Sequence, residues 1–205
     1  MRARPRCRTN PTVVVTPPAH EDIENLQFIR RTLEVSGSFT AVPGWGLVTV
    51  GVTAIGAAII AQQQVTVQHW VSVWLGEALI GAVIAIWAMY AKAQRTGVSL
   101  LAAPGRRFAL GLAPPLIAGA VLTPILYYHR AIPDIPGTWL LLYGTAVVTG
   151  GTYSIGVVPV MGACFMALGL GALLAPASWV LYWMLAGFAG LHIVFGYFIA
   201  RNHGG

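Results

Sequence analysis

Charge is what this chain has least of. Only 9% of its 205 residues are charged, and acids are scarcer than bases, six Asp and Glu against twelve Lys and Arg. A soluble domain carries about a quarter of its residues as charges, so this chain could not cover a water-facing surface. Beyond Glu34 the acidic residues are Glu77 and Asp134 alone. That excludes a metal site of clustered carboxylates. No H-E-x-x-H, G-x-S-x-G, P-loop or G-x-G-x-x-G motif is present either, so an enzyme is not expected. Cysteine is almost as rare. Cys7 lies in a polar N-terminal tail and Cys164 inside an apolar run. They are unsuited to pair, and no C-x-x-C or zinc spacing exists, so no redox chemistry, cofactor or structural metal is indicated. A cleavable signal peptide is not expected, because Val13 to Val15 is too short an apolar region.

What is there is apolar. Hydrophobic residues make up 57% of the chain and the mean hydropathy is +0.72. The fold class expected is all-α, a polytopic bundle of transmembrane helices forming one domain. The net charge of +6 could suggest nucleic acid as a partner. The basic residues, however, sit at the ends of apolar runs and do not stripe one face. They read as topology signals and contacts for anionic lipid headgroups, with the lipid bilayer as the partner and no nucleic acid.

Residues 1–20 form a basic tail rich in Arg and Pro, expected to be disordered. Residues 21–36 have the pattern of an amphipathic interfacial helix, with Ile23, Leu26, Ile29 and Leu33 on one face and Glu21, Glu24, Arg31 and Glu34 off it. Phe28 and Val35 lie off the stripe. Gly37, Ser38 and Pro43-Gly44 turn the chain into the bilayer. Six apolar spans are then expected within residues 42–200: Val42 to Ala61, Trp70 to Ala91, Phe108 to Tyr128, Trp139 to Ser154, Ile155 to Leu174 and Trp179 to Ala200. The fourth and fifth need a tight turn at Gly150-Gly151 or Gly156, or else a re-entrant hairpin.

Counting Lys and Arg places eleven of the twelve on one side, leaving Arg130 opposite, so both termini are expected in the cytoplasm. Trp45, Trp70, Trp139 and Trp179 mark span ends as interfacial aromatics. Small-xxx-small spacings such as Ala186/Gly190 and Ala167/Gly171 suggest close helix approach. The second and sixth spans share a faint echo from Trp70 and Trp179, which chance agreement within a narrow alphabet also explains.

Several polar residues lie within the spans. Glu77 interrupts the second, about 10 Å below its outer end, where a carboxylate must be neutral, hydrogen-bonded or facing water inside the bundle. It suits proton coupling or cation binding; the plainer alternative is a neutral acid bonded to a neighbouring Thr, Tyr or carbonyl. His192 lies in the sixth span, about 8 Å off Glu77 in depth, which disfavours a direct bond without tilt or a bridging water. Thr145, Thr149 and Thr152 form a stripe in the fourth, with Tyr143 and Tyr153 nearby, and Thr49 and Thr53 repeat the idea in the first. They could line a pore, but hydroxyls at this spacing more commonly bond their own i−4 carbonyls or join helices. Pro114, Pro115 and Pro124 interrupt the third span, and each frees a carbonyl one turn earlier. His69 and His129, at outer span ends, are remote candidates to ligate a haem or a metal.

The segments ENLQFIRRTLEVSGSFTAVPGWG, GVVPVMGACFMALG and LHIVFGYFIARNHGG resemble a family of small bacterial multi-pass membrane proteins with no assigned activity. The resemblance runs from about residue 22 to the end. It implies location and architecture and carries over no catalytic residue. The expectation is an integral protein of the bacterial cytoplasmic membrane, acting as an accessory or regulatory protein through helix–helix contacts with a membrane-protein partner or as a homo-oligomer. The alternative is a small proton- or cation-coupled carrier or channel using Glu77, and a haem or quinone protein comes third.

Overall fold

The computed structural model describes residues 23, 25–29, 37, 39–97 and 99–203. The basic tail and most of the expected interfacial helix lie outside the described residues. Ile23 and residues 25–29 are helical, with Ile23, Leu26 and Ile29 exposed.

Among the described residues there are six long helices and no strand: α1 Gly44–Gln62, α2 Val67–Thr96, α3 Ala103–Tyr128, α4 Asp134–Gly151, α5 Val157–Leu174 and α6 Ala177–Asn202. Five of them, all but α4, are long and apolar enough to cross a membrane. Six such spans were expected. α4 is an 18-residue helix, but its Asp, Pro, Gly and Thr content dilutes the apolar run.

Local chemistry explains where the helices begin. Thr66 caps α2 by accepting from the His69 backbone N–H at 3.2 Å, so α2 starts before Trp70. Gly97, with φ 68°, ends it in the left-handed conformation that glycine tolerates. α4 opens at Asp134, earlier than Trp139, because an acid and a proline suit the first turn of a helix. Its other end stops at Gly151, and residues 152–156 make the turn into α5. α4 and α5 are thus two antiparallel helices joined by a short turn.

The pairs α1–α2, α3–α4 and α4–α5 are antiparallel, and glycine sets how close the helices lie. Along α4 glycines recur every seven residues, and Gly137 meets Gly169, Gly144 meets Gly162 and Gly151 meets Val158 and Pro159 of α5. A Cβ on Gly144 would lie 2.7 Å from the Gly162 carbonyl, and one on Gly162 would lie 2.7 Å from the Gly144 carbonyl. The two backbones therefore touch directly, as small residues permit in membranes. α1 and α6 repeat the device at Gly44 with Gly196 and at Gly51 with Ala189. Of the glycines in the expected small-residue pairs, Gly171 meets the Trp183 ring of α6 and Gly190 has only its own helix nearby.

The helices form a row. α2 packs principally on α1, α1 on α6, α6 on α4 and α5, and α3 on α4 at the far edge. α6 is not uniform, since Leu185–Leu191 form a π-helical turn. The wider turn re-phases the helix, so that Gly187 meets Leu140 and Phe165 on one side while Ala189 meets Gly51 on the other. α2 has no such turn, so the echo between these two sequences is not an echo of shape.

One end of the row is tied together by the segment before α1. Phe39 is buried against Phe108 with ring centroids 4.8 Å apart, its N–H donates to the Tyr153 carbonyl at 2.7 Å, and its carbonyl accepts from the Ser154 hydroxyl at 2.7 Å. Lys92 is buried as well, and its ammonium donates to the Val42 and His203 carbonyls, both at 2.9 Å. This corrects the expectation for Lys92. It is an internal tie at the end of the bundle and does not reach for headgroups. Arg95, Arg106, Arg107 and Arg201 lie at this same end, with Arg130 in the connection at the other.

Candidate functional site

The structure separates the intramembrane polar residues into three seams. Glu77 lies in the α1–α2 seam, where its Oε1 is 2.8 Å from the Thr53 hydroxyl. That hydroxyl is also 2.9 Å from the Val50 carbonyl. Two further contacts hold the seam shut around them, for Gly46 lies under Ala88 and Gly81 under Val50. Of the two threonines on α1, Thr49 instead bonds the Trp45 carbonyl of its own helix at 3.0 Å.

His192 lies in the centre of the row, 2% exposed. Its Nδ1 is 3.0 Å from the Phe188 carbonyl, which can only accept, so Nδ1 carries the proton. Nε2 is then the acceptor for the Tyr143 hydroxyl at 2.7 Å. The pair is enclosed by aromatic rings: Phe165 and Phe188 each pack on both Tyr143 and His192, with centroids 4.8 to 6.3 Å apart. An aromatic line continues from Phe188 to Trp74, then Trp70, then Trp139, which stacks on Trp70 with an interplanar angle of 3°.

Glu77 and His192 are not brought together. One turn from each stand Trp74 and Phe188, and these rings meet at 6.3 Å. What joins the two helices at this depth is apolar.

The threonine stripe serves the backbone. Thr145 bonds the Leu141 carbonyl at 2.9 Å and Thr152 the Thr149 carbonyl at 2.7 Å. Thr149 Oγ1 lies 2.8 Å from the Thr145 carbonyl and 3.1 Å from the Ala146 carbonyl of its own helix, and 2.7 Å from the Gly111 carbonyl of α3. The carbonyls of its own helix already accept backbone N–H groups, so its single proton counts most at Gly111. Gly111 precedes Pro115 by four residues, and proline has no N–H to offer it. Thr149 therefore satisfies a carbonyl that the proline leaves open. Near the other end of the same seam, Trp139 donates its indole N–H to the Thr123 hydroxyl at 2.8 Å, and Thr123 donates to the Gly119 carbonyl at 2.7 Å. Thr123, beside Pro124, escapes a reading by spacing alone.

His69 sits in the first turn of α2, and His129 lies edge-on to Tyr128 at 5.5 Å. Among the described residues no group of three His, Cys, Asp or Glu side chains converges. Cys164 is partly buried on α5. Comparison with known proteins returns nothing: no family model, no curated protein and no solved structure matches this chain.

Proposed function

We propose that this chain is a non-enzymatic accessory protein of the bacterial cytoplasmic membrane, crossing it six times with both termini inside and acting through helix–helix contacts with a membrane-protein partner or a second copy. One observation carries the reading. Glu77, His192 and Thr149 are bonded in separate seams, to Thr53, Tyr143 and Gly111, with aromatic rings between the first two. A transport path needs polar groups that follow one another across the bilayer, and these do not. The row arrangement supports the same reading. The outer faces of α2 and α3 carry exposed Leu79, Val83, Trp87, Ile117 and Val121, apolar surface suited to lipid or to another helix. The sixth crossing is assigned to α4 because only then do Arg95, Arg106, Arg107 and Arg201 share the inner side.

The test is proton and cation flux in proteoliposomes under an imposed gradient. The accessory reading expects flux equal to that of protein-free vesicles, for the wild type and for Glu77→Gln alike. Flux that the wild type adds and Glu77→Gln abolishes would replace it with the carrier reading, which the burial of Glu77 in a membrane seam favours. Topology has its own test: a reporter fused after Gly205 that is active only outside overturns the inside assignment.

A further inference from the structure

The observations around Glu77 extend beyond its role in helix contact. Thr53 has a single hydroxyl proton, yet two oxygens lie within bonding distance of it, the Val50 carbonyl at 2.9 Å and Glu77 Oε1 at 2.8 Å. Both contacts become hydrogen bonds when Thr53 donates to Val50 and Glu77 donates to Thr53, which requires the proton to sit on Glu77. Charge leads to the same assignment. An ionised carboxylate in an apolar phase needs a cation or several donors. Here Thr53 is the one hydrogen-bonding partner, and no Lys, Arg or His among the described residues pairs with Glu77.

The second observation is position. Glu77 itself is 9% exposed, and exposed residues flank the seam that holds it. On one side of the seam Trp74 and Trp70 reach Phe188 and Trp139, but α2 packs principally on α1, so the other side of the seam is the exterior. Val52 beside Thr53 and Ile80 one turn from Glu77 are 54% and 52% exposed, and neither Gly56 nor Gly76 has any atom within 4 Å of where a Cβ would stand.

We infer that Glu77 is a carboxylic acid donating to Thr53 at the lipid-facing edge of the α1–α2 seam, and a covalent modification site for apolar carboxyl reagents that arrive through the hydrocarbon phase. A carbodiimide is the reagent class that fits, because it takes its proton from the acid. The Glu77 O–H proton moves to a carbodiimide nitrogen as the carboxyl oxygen bonds the central carbon and one C=N π bond breaks. The acyl group of this O-acylisourea then shifts from oxygen to nitrogen, one C–O bond breaking as a C–N bond forms. The product is an N-acylurea, and no oxidant, water or leaving group is involved. The other acids, Glu21, Asp22, Glu24, Glu34 and Asp134, lie outside the apolar runs and serve as internal controls.

The test uses the full chain in phosphatidylcholine vesicles at neutral pH. Dicyclohexylcarbodiimide is expected to add once per chain, with peptide mapping placing the adduct on Glu77, and Glu77→Gln abolishes it. A water-soluble carbodiimide with an amine nucleophile is expected to couple Asp134 and leave Glu77 unmodified. Failure of the apolar reagent at Glu77, or coupling by the soluble reagent as readily as at Asp134, overturns access from lipid. Infrared difference spectra read the proton independently. A carboxylic acid C=O stretch that is lost in Glu77→Gln and shifted in Thr53→Val is expected, and its absence from the folded wild type overturns the assignment. Neither measurement depends on flux, so the accessory reading and this one can fail separately.

Discussion

Thr149 and Gly111 stand 2.7 Å apart, hydroxyl to carbonyl, on helices that cross at the Gly111–Gly150 backbone contact. The bond repairs on α3 what Pro115 removes, and it does so from α4. A proline within a membrane helix is tolerated where a neighbouring helix supplies a donor, and here the donor is a single hydroxyl.

Thr149→Val should therefore destabilise the bundle by about 1–2 kcal/mol, the loss of one bond with its acceptor left open. Thr149→Ser should keep the hydroxyl and most of the stability. Thermal unfolding in detergent micelles reads both. A Thr149→Val protein as stable as the wild type would mean that the Gly111 carbonyl does not depend on this hydroxyl.

The glycine contacts make a sharper contrast. Gly144→Ala and Gly162→Ala each force a Cβ to within 2.7 Å of the opposing backbone, so α4 and α5 must separate. Both variants should lose several kcal/mol, in the range of overpacked cores or beyond. Gly56→Ala and Gly76→Ala meet open space and should gain up to about 1 kcal/mol from helix propensity. The same unfolding assay ranks all four, and equal effects at the two sets of positions would refute the close approach.

Tyr143→Phe removes the donor to His192 Nε2 in a site that admits no replacement, and a cost of about 1–3 kcal/mol is expected. Replacing His192 with Phe should cost a comparable amount through lost bonding. The double variant should cost clearly less than the sum, because the two residues act on one bond. Additive losses would show that the pair is not coupled.

Lys92→Met cuts the tie from α2 to the Val42 and His203 carbonyls. Hydrogen exchange should rise at residues 39–43 and 199–203 while α4 and α5 stay protected. Arg95→Met, on an exposed neighbour at the same end, should leave both segments unchanged.

The features legible in the sequence were those each residue contributes on its own. Pro115 announces an open carbonyl at Gly111 wherever the helix lies, and Glu77 announces a carboxyl in need of a partner. The partners were not legible. Thr149 is 38 residues from Gly111, and Thr53 is 24 from Glu77, with Thr49 an equal candidate on the same helix. Which hydroxyl faces which acceptor depends on how each helix is rotated about its axis. That rotation follows from backbone contacts such as Gly144 on Gly162, which the small-residue spacings in the sequence do not single out. The start of α4 at Asp134, five residues before the expected Trp139, is hidden for a similar reason, since hydropathy marks the apolar middle of a helix and says little of its polar first turn.

Composition and hydropathy sufficed to establish an all-helical chain with several membrane-length helices, because transfer from water to lipid adds up residue by residue and needs no neighbours. The pairing of Glu77 with Thr53, the enclosure of His192 and Tyr143 among aromatic rings, and the inward turn of Lys92 came only with the packed bundle. Water is absent from the hydrocarbon phase, so a polar group there looks for its partner inside the protein, and several of these partners lie on another helix.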